Sequence, residues 1–183
     1  LSHRNSVDTA LMMPPASIAT NASLTGHLVF STLHTNDAPS AVARLIDLGV
    51  QPFLVASSVR AAVAQRLVRR LCSNCKQPSE LTDTELRALG IEQGQLLDAQ
   101  VMRPVGCELC RHIGYKGRMG IFEIFVIDDE VRHMINKRTS TFILRQRARE
   151  LGMRTLREDG VRKVLAGLTS AEEVISITVG DVS

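Results

Sequence analysis

The first clear hydrophobic pattern in the chain is a short apolar run followed by apolar residues at helical spacing. Residues 28–30 are consecutive and β-favouring, and a polar Thr-Asn-Asp cluster follows them closely. This pattern predicts a buried strand of about six residues that ends in a polar turn. A helix is predicted over 38–46 up to Gly49, with Asn36 or Asp37 accepting the free N–H groups of its first turn. Open α/β sheets bind ligands where a strand, a polar turn and a helix N-terminus follow one another.

Capping signals predict most of the remaining elements. Pro52 suits the first turn of a helix, and Thr82-x-x-Glu85 and Ser170-x-x-Glu173 are capping boxes. Residues 59–71 fit both an alternating strand and a helix, and we favour the strand. Further helices are predicted at 16–22, 128–137, 140–151 and 156–165, and an apolar strand at 121–125 after a glycine-rich turn.

Two C-x-x-C pairs, Cys72 with Cys75 and Cys107 with Cys110, flank residues 76–106. A C-x-x-C turn places two thiolates within reach of one ion, and two such turns complete the tetrahedral shell that zinc prefers. Four cysteine ligands leave no open coordination position, so the predicted zinc site is structural. The alternative is four unrelated reduced thiols. The basic residues expected to offset the thiolate charge are Arg69, Arg70, Lys76, Arg103 and Arg111.

Composition narrows the class of protein. The chain has 183 residues, is 44% hydrophobic, and has no Trp, so its core must be built from aliphatic side chains. A net charge of +3 with few aromatic residues argues against a nucleic-acid partner. Neither an apolar run of membrane-spanning length nor a signal-peptide pattern is present, which predicts a cytoplasmic protein with reduced cysteines.

The string Thr-Gly-His-Leu-Val-Phe-Ser-Thr-Leu-His-Thr-Asn-Asp-Ala, residues 25–38, resembles the histidine box of the secretion ATPases. These are the hexameric motors of type II secretion and type IV pilus assembly. A tetracysteine module, a Gly-Tyr-x-Gly-Arg-x-Gly segment and the stretches at 154–160 and 167–173 resemble the same family. The resemblance covers about residues 16–181.

The resemblance implies functional positions around a nucleotide. His34 and His27 are the histidines of the box, and His34 is our candidate for the γ-phosphate side. Their separation of seven residues would point them to opposite faces of a strand. Thr32, Thr35 and Arg66 are the implied nucleotide-binding residues, although Arg66 also fits a solvated basic face.

The implied fold class is α/β. It comprises a partial RecA-like (P-loop NTPase) sheet, an inserted tetracysteine zinc module and a C-terminal helical bundle. The expected divisions are an unmatched segment 1–15, the partial ATPase core with the histidine box 16–71, the zinc module 72–120 and the C-terminal strand and helices 121–183.

The resemblance also implies ATP and Mg²⁺ as cofactors of the complete motor, beside the structural zinc. Its implied partners are the other subunits of a homo-hexamer and an inner-membrane platform protein. The location would be the cytoplasm, peripheral to the inner membrane, with no nucleic acid bound.

The chain lacks a Gly-x-x-x-x-Gly-Lys-Ser/Thr phosphate loop, and the acidic Mg²⁺-binding segment expected upstream of residue 16 is also missing. We therefore interpret the sequence as the C-terminal part of such a motor and expect this chain alone to be inactive. A zinc-ribbon nucleic-acid-binding module and an inactive truncated product are the alternatives.

Overall fold

The computed structural model describes residues 15–179, which form an α/β arrangement of helices and two small sheets. The α-helices are α1 (Pro15–Leu24), α2 (Ser40–Asp47), α3 (Pro52–Ser58), α4 (Asp83–Leu89), α5 (Asp129–Asn136), α6 (Thr141–Glu150), α7 (Leu156–Leu165) and α8 (Ala171–Ile177). The strands are β1 (Ala61–Leu71), β2 (Gln77–Pro78), β3 (Met102–Arg103) and β4 (Tyr115–Val126). β1 pairs with β4, and β2 pairs with β3 in antiparallel register.

Helix starts follow the caps that the sequence carries. Thr82 and Glu85 form the reciprocal capping box of α4, which Gly90 ends in the left-handed conformation at φ +66°. Pro52 begins α3, and the Asp128 carboxylate accepts the N–H of Val131 at 2.8 Å to cap α5. These predicted helices are confirmed, as are β1 and the strand at 121–125.

The expectation of a buried strand at 28–33 is wrong in this structure. Residues 27–35 have no regular secondary structure, and Leu28 and Phe30 are 80% and 87% exposed. A strand forms only by pairing its backbone with a neighbour. Within the described residues, β1 to β4 pair only with one another.

The glycine-rich turn before the strand at 121–125 is shorter than predicted. β4 begins at Tyr115, so Gly117 and Gly120 lie within the strand. Gly114, at φ +77°, makes the turn into it.

The chain divides into two compact units. Unit 1 comprises residues up to 62 together with 125–152, and unit 2 comprises 63–124 and the residues from 153 onward. Residues 63–71 and helices α7 and α8 group with the cysteine region, whereas α5 and α6 group with the residues up to 62. None of the helices in residues 15–179 has the length and apolarity needed to cross a membrane.

Unit 1 is built from helices α1, α2, α3, α5 and α6, and α3 packs against α1, α2 and α5. Its core contains large buried side chains from four of these elements and from the end of β4, namely Val42, Val55, Phe125, Val131, Ile135 and Leu144. The segment 27–39 joins α1 to α2 on this unit and carries the histidine box.

Unit 2 has one apolar core that includes the residues between the cysteine pairs. Leu89 and Ile91 from this insert are buried with β1, β4 and the C-terminal helices. The remaining members of the core are Val68, Ile121, Leu156, Val161, Val164, Ala171 and Val174. The cysteine region therefore shares its core with α7 and α8.

Candidate functional site

The four cysteines converge on one point in unit 2. Their sulfur atoms all lie within 4.8 Å of one another. The distances are 3.9 Å between Cys72 and Cys107, 3.8 Å between Cys75 and Cys110, and 3.7 Å between Cys107 and Cys110. A tetrahedral ion with metal–sulfur bonds of about 2.3 Å requires sulfur–sulfur edges of about 3.8 Å. All four thiols are free, and the arrangement has the dimensions of a four-sulfur metal site.

Each C-x-x-C turn is held by its own backbone. The N–H of Cys75 donates to the Cys72 carbonyl at 3.2 Å, and the N–H of Cys110 donates to the Cys107 carbonyl at 3.1 Å. The two turns are tied together because the Cys72 N–H donates to the Gly114 carbonyl at 3.0 Å. Both turns thus present two sulfurs to the same side.

Several N–H groups point at the sulfurs. Cys75 Sγ accepts from the Gly106 N–H at 3.3 Å, and Cys110 Sγ accepts from the N–H groups of Cys107 at 3.1 Å and Gly114 at 3.3 Å. Such donors favour the ionised thiolate, which is the form that binds metal.

The thiols titrate differently. The Asn74 side-chain amide donates to Cys107 Sγ at 3.3 Å and is the main cause that lowers the pKa of Cys107 to about 6. Burial raises the pKa of Cys75 to about 11. A bound cation would favour the thiolate at all four positions. The arrangement therefore fits a metal site better than a group of four unrelated reduced thiols.

Three of the basic residues expected to offset the thiolate charge, Arg69, Lys76 and Arg103, bond elsewhere. Lys76 Nζ donates to the Gly167 carbonyl at 2.8 Å, and Arg103 donates to the Gln77 side chain at 3.2 Å. Arg69 pairs with Glu173 at 2.6 Å, so it too bonds away from the sulfurs. Backbone and amide N–H groups, rather than these side chains, are the donors that reach the sulfurs.

His112 follows the second cysteine pair in the sequence but does not belong to the cluster of candidate metal ligands. Its ring Nε2 contacts the Glu108 carboxylate at 3.1 Å, and both side chains are largely exposed. The cysteine set is therefore complete without it.

The histidine-box residues occupy the exposed segment 27–35 of unit 1. His27 Nδ1 lies 3.1 Å from the Thr25 hydroxyl and 3.3 Å from the Ala22 carbonyl, so this ring contacts the C-terminal end of α1. His34 and Thr32 are exposed, and Thr35 is half-buried. Arg66 is exposed on the part of β1 that belongs to unit 2.

An ion pair that the sequence did not suggest holds the end of the histidine box. The Asp37 carboxylate accepts from the Ser40 N–H at 2.8 Å, from the Ser40 hydroxyl at 2.8 Å, and from the Arg145 guanidinium at 2.7 Å. Arg145 lies 108 positions later in the chain, on α6. A local signal exists for the cap on α2, but no local signal identifies the distant arginine.

Several relatives match most of the chain. A family model described as type II/IV secretion system protein matches residues 13–176. Type II secretion system protein E of Aeromonas hydrophila is 50% identical over 163 residues, or 89% of this chain and 32% of that protein. The type IV pilus assembly ATPase PilB of Thermus thermophilus is 46% identical over 164 residues, or 90% of this chain and 18% of that protein.

Solved structures show a related fold. The pilus retraction motor PilT with bound ADP superposes with a TM-score of 0.56 at 20% identity, over 88% of this chain and 35% of that one. The ATPase DotB of Legionella pneumophila superposes with a TM-score of 0.54 at 20% identity, over 90% of this chain and 35% of that one. At this identity the similarity concerns the fold alone.

The chain spans a third or less of the length of the two curated relatives described above. The family model begins before α1 and ends within α8. The chain belongs to the family of type II/IV secretion system proteins.

Proposed function

We propose that this chain forms the C-terminal part of an ATPase that drives type II secretion or type IV pilus assembly. The observation that carries the proposal is the 50% identity to type II secretion system protein E, which runs through the histidine box and the cysteine region. In the proposed motor, ATP and Mg²⁺ are bound mainly by residues outside this chain, because residues 1–183 contain no phosphate loop.

The proposed role of segment 27–35 is to complete the nucleotide site as a strand of a RecA-like sheet. His34 would donate a hydrogen bond to the γ-phosphate oxygens, and Thr32 and Thr35 would be polar neighbours of the nucleotide. Arg66, which belongs to the other unit, stays a prediction from the resemblance. The exposure of Leu28 and Phe30 supports this proposal, since apolar strand residues of this size are usually covered. His27, bonded to the end of α1, would act mainly through folding or subunit contact.

The proposed metal is one structural zinc ion bound by Cys72, Cys75, Cys107 and Cys110. The sulfur–sulfur distances of 3.7–3.9 Å and the N–H donors around the sulfurs support it. Zinc would supply the cross-link between the two C-x-x-C turns, and the chain's own donors would keep the ligands ionised.

The proposed assembly is a homo-hexamer on the cytoplasmic side of the inner membrane. Closure of its subunits around ATP would act on an inner-membrane platform protein. A nucleic-acid partner is not proposed, and binding to single-stranded DNA should be weak at physiological salt.

The metal proposal is tested by elemental analysis of protein purified without added metal. We expect about one equivalent of zinc and no iron in the parent, and loss of zinc in Cys75→Ser. His112→Ala is the matched control, since His112 is close in sequence but bonds to Glu108, and it should keep full zinc. Full zinc in a Cys75→Ser, Cys107→Ser double variant would refute the assignment.

The motor proposal is tested with a chimera. Residues 16–179 replace the matching region of the Aeromonas hydrophila type II secretion protein E, and ATP hydrolysis and secretion are measured in a strain lacking that protein. Restored secretion with restored hydrolysis supports the proposal. A folded, zinc-loaded chimera that hydrolyses no ATP would refute it.

A further inference from the structure

The residues that connect α7 to α8 lie against the chain segments that carry the cysteines. Gly167 illustrates how closely they pack: a Cβ atom added there would lie 2.5 Å from the Gln100 carbonyl oxygen and 2.9 Å from Met102. Its φ of +64° also favours glycine. We name residues 167–173 the α8 anchor.

The α8 anchor holds the backbone immediately before the first cysteine. The Leu71 N–H donates to the Leu168 carbonyl at 2.9 Å, and the Thr169 hydroxyl donates to the Arg69 carbonyl at 2.8 Å. Thr169 is fully buried, so its hydroxyl has no access to water as an alternative partner. Cys72 follows directly after the end of this strand.

The strongest contact of the α8 anchor is made by Glu173. Its carboxylate accepts from the backbone N–H of Arg69 at 2.9 Å and from the Arg69 Nε at 2.8 Å. Glu173 is the third residue of α8 and was expected to complete a capping box with Ser170. Only half of that box forms, because the Ser170 hydroxyl accepts the Glu173 N–H at 3.3 Å while the carboxylate bonds to Arg69.

The second cysteine pair is held by the same segment. The Arg69 guanidinium lies 4.1 Å from the centre of the Tyr115 ring, and the Tyr115 hydroxyl bonds the Ser170 hydroxyl at 2.7 Å. Tyr115 follows Gly114, whose N–H donates to Cys110 Sγ at 3.3 Å. Beyond the first pair, Lys76 Nζ donates to the Gly167 carbonyl at 2.8 Å.

We propose that Glu173 and Thr169 are positioning residues for the metal site, so that docking of α8 and metal binding at the four cysteines stabilise each other. Their contacts to Arg69 fix the strand end that presents Cys72. Arg69 and Ser170 in turn hold Tyr115, next to the Gly114 that bonds Cys110, and this order lowers the cost of bringing four sulfurs together. Thermodynamic linkage makes the effect reciprocal: metal binding must strengthen the anchor by the same factor. The proposal rests on zinc binding at this site.

The test is the zinc affinity of three single variants, measured by competition with a chromogenic chelator. Glu173→Gln keeps the size of the side chain but removes its charge, and Thr169→Val removes the hydroxyl while keeping the shape. Each should raise the zinc Kd about tenfold, the lower end of the effect seen for residues that support metal ligands. Glu172→Gln, on the exposed side of the same helix, is the control and should stay within twofold.

Hydrogen exchange provides the reciprocal measurement. Removal of zinc from the parent with a chelator should speed amide exchange in residues 168–177, and the increase should be smaller in Glu173→Gln. A purely structural role would lower the thermal stability of the apo and zinc-loaded forms equally and leave zinc affinity unchanged.

The outcomes separate the two proposals. Zinc Kd values within twofold of the parent in both Glu173→Gln and Thr169→Val would overturn the coupling while leaving the zinc site intact. A parent chain that binds no zinc would refute the zinc site and the coupling together. If Glu173→Gln fails to fold, Thr169→Val alone decides the question.

Discussion

Replacing Asp37 by Ala should destabilise the chain more than any other single change in the histidine box. The Asp37 carboxylate accepts the N–H of Ser40, the first residue of α2, as a helix cap would, and pairs with Arg145 at 2.7 Å. Loss of a helix cap costs about 1 kcal/mol. Loss of a hydrogen bond between charged groups costs about 2 kcal/mol when the pair is shielded from water, and here the side chains are only 16% and 25% exposed.

The expected loss in the free energy of unfolding is therefore about 3 kcal/mol, or roughly 6–12 °C in Tm for a chain of this size. The assay is urea denaturation followed by far-UV circular dichroism, because the chain has no Trp and only one Tyr. Asp47→Ala is the matched control. Asp47 is exposed at the other end of α2, and its loss should change stability by no more than about 0.5 kcal/mol.

A double-mutant cycle with Arg145→Ala isolates the ion pair. Asp37→Ala and Arg145→Ala should be non-additive by about 1–2 kcal/mol, since each removes the same contact. A loss below about 1 kcal/mol for Asp37→Ala, or strictly additive effects in the cycle, would show that the pair contributes nothing and that only the cap matters.

Three further predictions concern activity and pH. The purified 183-residue chain should hydrolyse no ATP above background, and turnover abolished by His34→Ala would contradict this. In the chimera, His34→Ala should lower turnover at saturating ATP by about 10²–10³ with little change in ATP affinity, because a lost donor acts mainly on the transition state; turnover within about twofold would refute the role. Although burial opposes its ionisation, hydrogen bonds from Arg69 hold the pKa of Glu173 below its ordinary value of 4.5. A carboxylate with a depressed pKa stabilises the fold above that ordinary value, so stability should fall as the pH drops below about 4.5, and Glu173→Gln should flatten the loss in a series of urea titrations.

Local signals in the sequence were sufficient for the helices and for the four cysteines of the proposed metal site. Thr82 with Glu85 and Asp128 each determined a helix start, because a cap bonds to N–H groups only a few residues away. The C-x-x-C spacing was equally informative, since a tight turn brings two sulfurs to one side regardless of the rest of the fold.

Contacts between distant residues were decided only by the tertiary structure. The spacing of Ser170 and Glu173 predicted a reciprocal cap, but the Glu173 carboxylate bonds instead to Arg69, 104 positions earlier. Asp37 likewise meets Arg145 across 108 positions. Such a pair depends on how the intervening chain folds back, and the sequence around one partner does not predict which distant residue it will meet.

At residues 28–30 a local pattern predicted an element that does not form. Their apolar, β-favouring composition predicted a buried strand, yet the side chains of Leu28 and Phe30 are exposed in the part of the chain that the structure describes. Composition determines that such a run is suited to a sheet, but a strand also needs a neighbouring backbone to accept and donate its hydrogen bonds. The presence of that neighbour is a property of the tertiary structure, and no pattern within the run itself can supply it.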